Sequence, residues 1–474
     1  MADAQAYDRL SQLDNSFLVV EENAASGSMH VASTQIHEAA SLRRRDGSLD
    51  IECIEEYVES RLHLIPRYRQ RLAHTPLEGH PVWVDDASFN IRYHVRHSCL
   101  PRPGSERQLK RMVGRIFSQQ LDREKPLWEL WVIEGLEGDR LAIVSKVHHC
   151  MVDGVSGSEL VSTLLTSEPQ EKAKPPARWI PRPAPTRLSL GIDEATRAMR
   201  APWRLGSALV RLARDEDEAR LHLRERLQAT GSLLSEGSGG ATMLPFNRPV
   251  GPYRRLDWTT LPMERVRAVR RAAGGTVNDV VLATAAGAFG RFLSRERGID
   301  LEGVHFRVLA PVSVRAPEER ARLGNRVAAW TLELPIAEPD PLARLEQVRK
   351  KTQELKTTKQ ALGAETLTEM TEWTGSALLS LGSRFATLAT PFNSVVTNVP
   401  GPRQPLYLLE SPLVEIHPHV PLMGLLGLGI ALLSYDGTLS WGFSADWDLV
   451  PDLHQMVVAT QRCFGELCRA AGVD

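Results

Sequence analysis

The chain has 474 residues, of which 42% are hydrophobic and 24% charged, and its formal net charge is −1. That length exceeds one ordinary core and predicts two or three domains of soluble, globular character. The near-neutral balance excludes a dedicated nucleic-acid binder, and no zinc-finger, P-loop or dinucleotide motif is present.

The first residues, Met1-Ala2-Asp3-Ala4-Gln5, carry neither a basic stretch nor an apolar one, so no signal peptide and a cytoplasmic setting are expected. Ile54 to Leu62 is patterned as an amphipathic helix. Pro81 to Val84 and Asn90 to Val95 read as strands, the second by alternation. Trp131 to Ile133 and Leu141 to Val147 read as two strands joined at Glu137-Gly138-Asp139-Arg140 in a hairpin.

The second of those strands runs into His148-His149-Cys150-Met151-Val152-Asp153-Gly154, and a helix-like stretch, Glu159 to Leu165, follows. The order is strand, tight loop, helix. Side chains alternate along a strand, so the two imidazoles should face opposite ways. Three readings compete: a metal site, a structural pair, and a general base. Chelation is disfavoured by rings that face apart and by the lack of a suitably spaced third ligand. A general base gains from the setting, because histidine exchanges protons near neutral pH and Gly154 leaves room for a substrate beside the backbone. Cys150 should point away from the side chain of His149 and has no activating neighbour in sequence.

From Glu168 to Pro185 the chain turns proline- and charge-rich, as an extended linker does. Residues 193–228 follow with helical periodicity and an arginine excess: Arg197, Arg200, Arg204, Arg211, Arg214, Arg220, Arg224 and Arg226. Either they form a solvated helical bridge, with Asp215-Glu216-Asp217-Glu218 breaking the positive face, or a basic face that leans on anionic lipid. The resulting division is 1–167, a crossover at 168–242, and 243–474.

In the second half Thr276 and Asp279 have capping-box spacing ahead of the apolar helix Val280 to Leu293. Asn278 is not explained by that box, and its amide is a candidate donor to developing negative charge at a helix start. Strands are expected at Arg307 to Val312, Ala328 to Leu334, Ser394 to Asn398 and Leu439 to Ala445, the last after an Asp436-Gly437 turn. Pro400-Gly401-Pro402 forces a turn after its strand, which Asn398 is placed to cap. The apolar run Val420 to Leu433 covers roughly 14 residues against the ~20 of a spanning helix, and Pro421 and three glycines break it. A buried strand pair or a surface-dipping loop fits it better than a membrane span. Asp452 to Ala470 reads as a closing helix. Five cysteines, Cys53, Cys99, Cys150, Cys463 and Cys468, are too few and too irregular for a disulfide framework. Both halves therefore mix helix and strand, as two α/β lobes flanking a cleft would.

Taken together, these segments resemble the bacterial wax ester synthase/diacylglycerol acyltransferase family over nearly the full length. The resemblance is carried by Leu10 to Asp14, Met29-His30-Val31, Leu121 to Glu129 with Pro126-Leu127-Trp128, and His148 to Gly154. Asn278-Asp279, Pro311 to Arg315, Gly324-Asn325 and Asn398 to Pro402 complete it. The His-His-x-x-x-Asp-Gly motif alone is shared with condensation domains and chloramphenicol acetyltransferases, whereas the Pro-Leu-Trp and Asn-Val-Pro-Gly-Pro stretches are more specific.

The resemblance implies two chloramphenicol-acetyltransferase-like lobes, each a mixed sheet with flanking helices, and an active-site tunnel between them. It implies acyl transfer from long-chain acyl-CoA, a co-substrate rather than a cofactor, to diacylglycerol or a fatty alcohol. His149 would be the general base, with His148, Asp153 and Gly154 completing the motif. Asn278, Asp279, Pro126, Leu127, Trp128 and Asn398 are the candidate substrate-binding residues. No cofactor or metal, no nucleic acid and no transmembrane helix are expected; peripheral contact with a membrane or lipid droplet is. Rival readings are a condensation-like transferase using a carrier-bound donor and a non-catalytic lipid-binding protein.

Overall fold

Strand patterning dominates the first half. The computed structural model describes residues 7–23, 27–151, 163–170, 178–197, 199, 241–313, 327–357 and 392–473. In chain order the first half contributes β1 (Asp8–Arg9), α1 (Gln12–Asn23), β2 (His30–Glu38), α2 (Ile51–Arg61), β3 (Gln70–His74) and β4 (Pro81–Asp85). It continues with α3 (Ile91–His94), β5 (Val95–Cys99), α4 (Glu106–Ser118), β6 (Trp128–Leu136) and β7 (Arg140–His148). The β6–β7 hairpin forms as expected, through a three-residue connection, Glu137–Asp139, in which Gly138 and Asp139 are both at positive φ.

One expected strand is corrected. Asn90 to Val95 is not a strand: Asn90 accepts a hydrogen bond from the Arg92 N–H and caps the single helical turn α3, and the extended segment starts only at Val95. A short polar side chain that bonds its own backbone overrides the alternation there.

The second half contributes β8 (Arg254–Pro262), α5 (Met263–Ala273), α6 (Val277–Arg291), β9 (Arg307–Ser313), β10 (Val327–Glu333), α7 (Pro341–Thr357) and β11 (Ser394–Val399). The remaining elements are β12 (Tyr407–Leu408), β13 (Ser411–His419), β14 (Leu428–Tyr435), β15 (Thr438–Asp446) and α8 (Leu453–Ala470). The Val420–Leu433 run resolves into a loop to Gly427 and the start of β14, with no strand pair inside it. No described helix is long and apolar enough to cross a membrane.

Two six-stranded mixed sheets result, ordered β12-β13-β2-β7-β6-β5 and β10-β9-β11-β14-β15-β8, beside a small sheet β1-β4-β3. β7 is central in the first, and all but its first residue are buried, as expected of a strand covered on both faces. α8 packs on α6 over the apolar core of the second sheet. The division at 167 and 243 is crossed once: β12 and β13, from the second half, complete the first sheet, with β13 antiparallel to β2. A strand lent between halves leaves no local sequence signal.

β13 also presses against the second sheet. His417 Nδ1 lies 2.8 Å from Ser440 Oγ, its ring stacks on Trp258 at 4.8 Å, and Val420 N–H donates to Ser444 Oγ at 3.2 Å. On the other side α4 meets β8, where Arg254 N–H donates to Ser118 Oγ at 2.8 Å and Lys110 Nζ lies 2.6 Å from Asp257 Oδ1. The approach is tightest at Gly442, where a Cβ would sit 1.7 Å from the Pro418 carbonyl oxygen. We expect Gly442→Ala to force β13 off β15 and to cost about 1–3 kcal/mol, the usual range for overpacking a core. Denaturant unfolding measures this; an unchanged midpoint would contradict the contact.

Candidate active site

His148 ends β7 opposite His30 of β2, and the chain then tightens into a 3-10 turn over His149–Met151. The two backbone amides are held separately: His148 N–H donates to the Leu127 carbonyl at 3.0 Å and His149 N–H to the Met29 carbonyl at 2.7 Å. The rings have different surroundings, because the chain leaves the strand at His148 and enters the 3-10 turn at His149. His148 turns into the core and is buried, whereas His149 keeps partial exposure.

α1 touches both. Phe17 and Glu21 are four residues apart and share a helix face. The Phe17 ring lies 4.0 Å from that of His149, centroid to centroid, and Glu21 Oε2 lies 2.8 Å from His148 Nε2. Arg123 Nη2 donates to the same carboxylate oxygen at 2.8 Å, and His30 Nε2 stands 3.7 Å from Glu21 Oε1. Burial alone would raise the Glu21 carboxyl, but the hydrogen bond from His148 and the Arg123 guanidinium outweigh it and hold it at about 2. Sequence reasoning missed Glu21, His30 and Arg123 as partners of the motif. The stretches that contain or border them, Leu10 to Asp14, Met29 to Val31 and Leu121 to Glu129, were the available signal.

His149 Nδ1 is buried with no hydrogen-bond partner among the described residues. Burial lowers the His149 pKa to about 4, so the ring is neutral at pH 7 and free to accept a proton. Cys150 behaves oppositely: burial pushes its thiol well above its ordinary value, which leaves it protonated and not a nucleophile.

The other expected residues fall in three groups. Pro126, Leu127 and Trp128 are buried behind the motif. The Leu127 carbonyl holds the His148 amide, and Trp128 stacks on His94 at 4.5 Å and donates from Nε1 to the Tyr68 carbonyl at 2.8 Å. Asp279 is spent on structure: Oδ2 accepts from the Thr276 N–H and hydroxyl, closing the expected capping box, and Oδ1 accepts from Thr352 of α7. Asn278, at the second position of α6, is partly buried. Asn398 does not cap the Pro-Gly-Pro turn; it is a strand residue paired with Leu432, and Gly401 N–H is bound by Ser434 Oγ instead. Asp153 and Gly154 lie outside the described residues, as do Gly324 and Asn325 and all the crossover arginines after Arg197.

This arrangement of two mixed sheets has counterparts among solved structures. The first condensation domain of the CDA synthetase matches with a TM-score of 0.58 at 17% identity, covering 99% of this chain and 97% of that one, and so shares the fold. The class so defined is a two-lobed fold of mixed sheets. A wax ester synthase/diacylglycerol acyltransferase from Marinobacter aquaeolei VT8 matches more fully, with a TM-score of 0.69 and 26% identity over 98% of this chain and all of that one.

Among curated proteins, a putative diacylglycerol O-acyltransferase of Mycobacterium tuberculosis is 35% identical over 409 residues, 84% of this chain and 78% of the relative. A probable diacylglycerol O-acyltransferase of the same organism, tgs1, is 30% identical over 460 residues, 95% of this chain and 93% of the relative. The model of the wax ester synthase/diacylglycerol acyltransferase catalytic domain matches residues 10–281, and that of the family's C-terminal domain matches 323–467. The chain belongs to the wax ester synthase/diacylglycerol acyltransferase family.

A pH profile tests the state of the exposed ring. With His149 neutral down to about pH 4, kcat/KM should stay flat from pH 8 to about 5.5, where an ordinary histidine base would be about nine-tenths protonated. A fall centred near pH 6.5 would show that burial does not depress this group.

Proposed function

We propose that this O-acyltransferase moves a long-chain acyl group from CoA to the hydroxyl of diacylglycerol or a long-chain alcohol, with His149 as general base. The supporting observation is a neutral, partly exposed imidazole held at a strand end by backbone and ring contacts on both sides. A thioester is already activated and its thiolate leaves readily, so neither a covalent acyl-enzyme nor a cofactor is required.

In one step the acceptor oxygen attacks the acyl carbonyl carbon while His149 takes the hydroxyl proton. The tetrahedral oxyanion then collapses, the C–S bond breaks, and the imidazolium returns its proton to the departing CoA sulfur. General-base assistance of this kind is worth about 100- to 10,000-fold. The Asn278 amide is our candidate donor to the oxyanion, and Asp153 and Gly154 complete the motif loop. His149→Ala should lower ester formation by at least about 100-fold with the fold retained by circular dichroism. Labelled acyl-CoA offered diacylglycerol and hexadecanol together, with products separated by thin-layer chromatography, reads both turnover and acceptor choice. Near-wild-type turnover in the variant would overturn the assignment, and a wild-type chain that binds lipid without product would support the non-catalytic rival.

Lipid acceptors dissolve in membranes and droplets, and one face of the crossover suits such a surface. Helical residues 187–197 expose Leu188 (74%) and Ile192 (55%) one turn apart, with Met199 (69%) following in line. The opposite face is fixed, because Glu194 accepts from the Leu77 and Glu78 amides at 2.9 and 3.0 Å. Arg187 borders the apolar residues, as in interfacial helices that meet anionic headgroups. The double variant Leu188→Asp/Ile192→Asp should lose flotation with anionic vesicles at unchanged melting temperature; undiminished flotation would remove this face from consideration.

A further inference from the structure

We infer that Glu21, held by Arg123, is a positioning residue for acyl transfer: it fixes the tautomer of His148 and, through α1, the seat of His149. The inference rests on the role proposed for His149 and adds a group outside the motif. The tautomer follows from the hydrogen bonds. Cys150 N–H donates to His148 Nδ1 at 3.2 Å, so Nδ1 is the bare nitrogen. The ring proton is therefore on Nε2, which donates to Glu21 Oε2 at 2.8 Å. Without the carboxylate, a buried N–H would lose its acceptor and the alternative tautomer would set Nδ1–H against the Cys150 N–H.

The geometry connects this bond to the reacting ring. Glu21 sits one turn beyond Phe17 on α1, and Phe17 covers the His149 ring at 4.0 Å. One helix thus contacts both histidines, His148 at the end of β7 and His149 at the start of the 3-10 turn, and the Glu21–His148 bond sets the distance between helix and strand end. Arg123 restrains the carboxylate from the far side, donating to Oε2 at 2.8 Å from the segment just before β6. Glu21 is itself buried and remains ionised across the working pH range, so the acceptor is permanent. A salt bridge that only stabilised the fold would have no reason to select one imidazole nitrogen.

The test compares Glu21→Gln and Arg123→Lys with the wild type, using kcat, KM for acyl-CoA, melting temperature and the spectrum of 15N-histidine-labelled protein. Glu21→Gln should lower kcat about 10- to 1,000-fold, less than the ~10,000-fold lost when the catalytic histidine itself is put in the wrong tautomer, because Glu21 acts through the neighbouring ring. KM should stay within about threefold, because the loss falls on the transition state. The His148 signals should change from one Nε2–H tautomer to a mixture. Arg123→Lys should shift all three readouts the same way by less, and it serves in place of Glu21→Gln if that variant does not fold. A Glu21→Gln enzyme with wild-type kcat overturns the inference. So does one whose activity falls only as its melting temperature falls while His148 keeps a single tautomer. The His148 spectrum does not depend on His149 chemistry, so a failure here is distinct from turnover surviving in His149→Ala.

Discussion

A carboxylate sealed inside a protein must be neutralised where it sits, and the Glu21 side chain meets that demand with Arg123 on one side and His148 on the other. The arrangement is costly to break, because a buried carboxylate stripped of its partners keeps its desolvation penalty uncompensated. It therefore constrains three elements at once. α1 cannot slide, the segment before β6 cannot lift, and the end of β7 cannot turn its first histidine outward. The second histidine then has the other direction left to it, toward Phe17 and the partly open side.

Around this bond the polar interior is arranged so that charges are satisfied while the second imidazole is kept uncharged. Lys146, two residues before His148, is buried yet donates to the carbonyls of Ile116 and Gln119 and pairs with Glu129 at 3.1 Å. His149 receives no such compensation at Nδ1 and stays basic in form but weakly so. His30 also has both ring nitrogens without a hydrogen-bond partner among the described residues, so what sets His149 apart is its partial exposure at the end of the strand.

Local features were the ones legible in the sequence. The β6–β7 hairpin, the Thr276–Asp279 capping box and the closing helix α8 each rest on residues within a few positions of one another, where periodicity and turn chemistry act directly. The different surroundings of the two histidines were also anticipated, although His149 lies in the 3-10 turn after β7 and not in the strand that alternation assumed. Glu21 and Arg123 were not: they lie 127 residues before His148 and 102 residues after Glu21, and nothing in local spacing marks such a pairing. The lent strand β13 was hidden for the same reason. At Asn90 the failure was of another kind, since a cap and an alternating strand write similar patterns over six residues. Trp128, expected to meet substrate, is instead core that supports the strand beneath the motif.

The exchange of β13 sets a limit on modularity. Its nine residues hydrogen-bond to β2 in one sheet while their outer face seats on β15 of the other, with Gly442 stripped of a side chain to let the backbones touch. A gene fragment ending before residue 407 would encode a first sheet with an open, aggregation-prone edge at β2, and the complementary fragment would carry an orphan strand. Evolutionary recombination of lobes between relatives must therefore carry this strand with its host sheet rather than with its neighbours in sequence. The natural seams of the molecule follow its hydrogen bonds, not its order of synthesis.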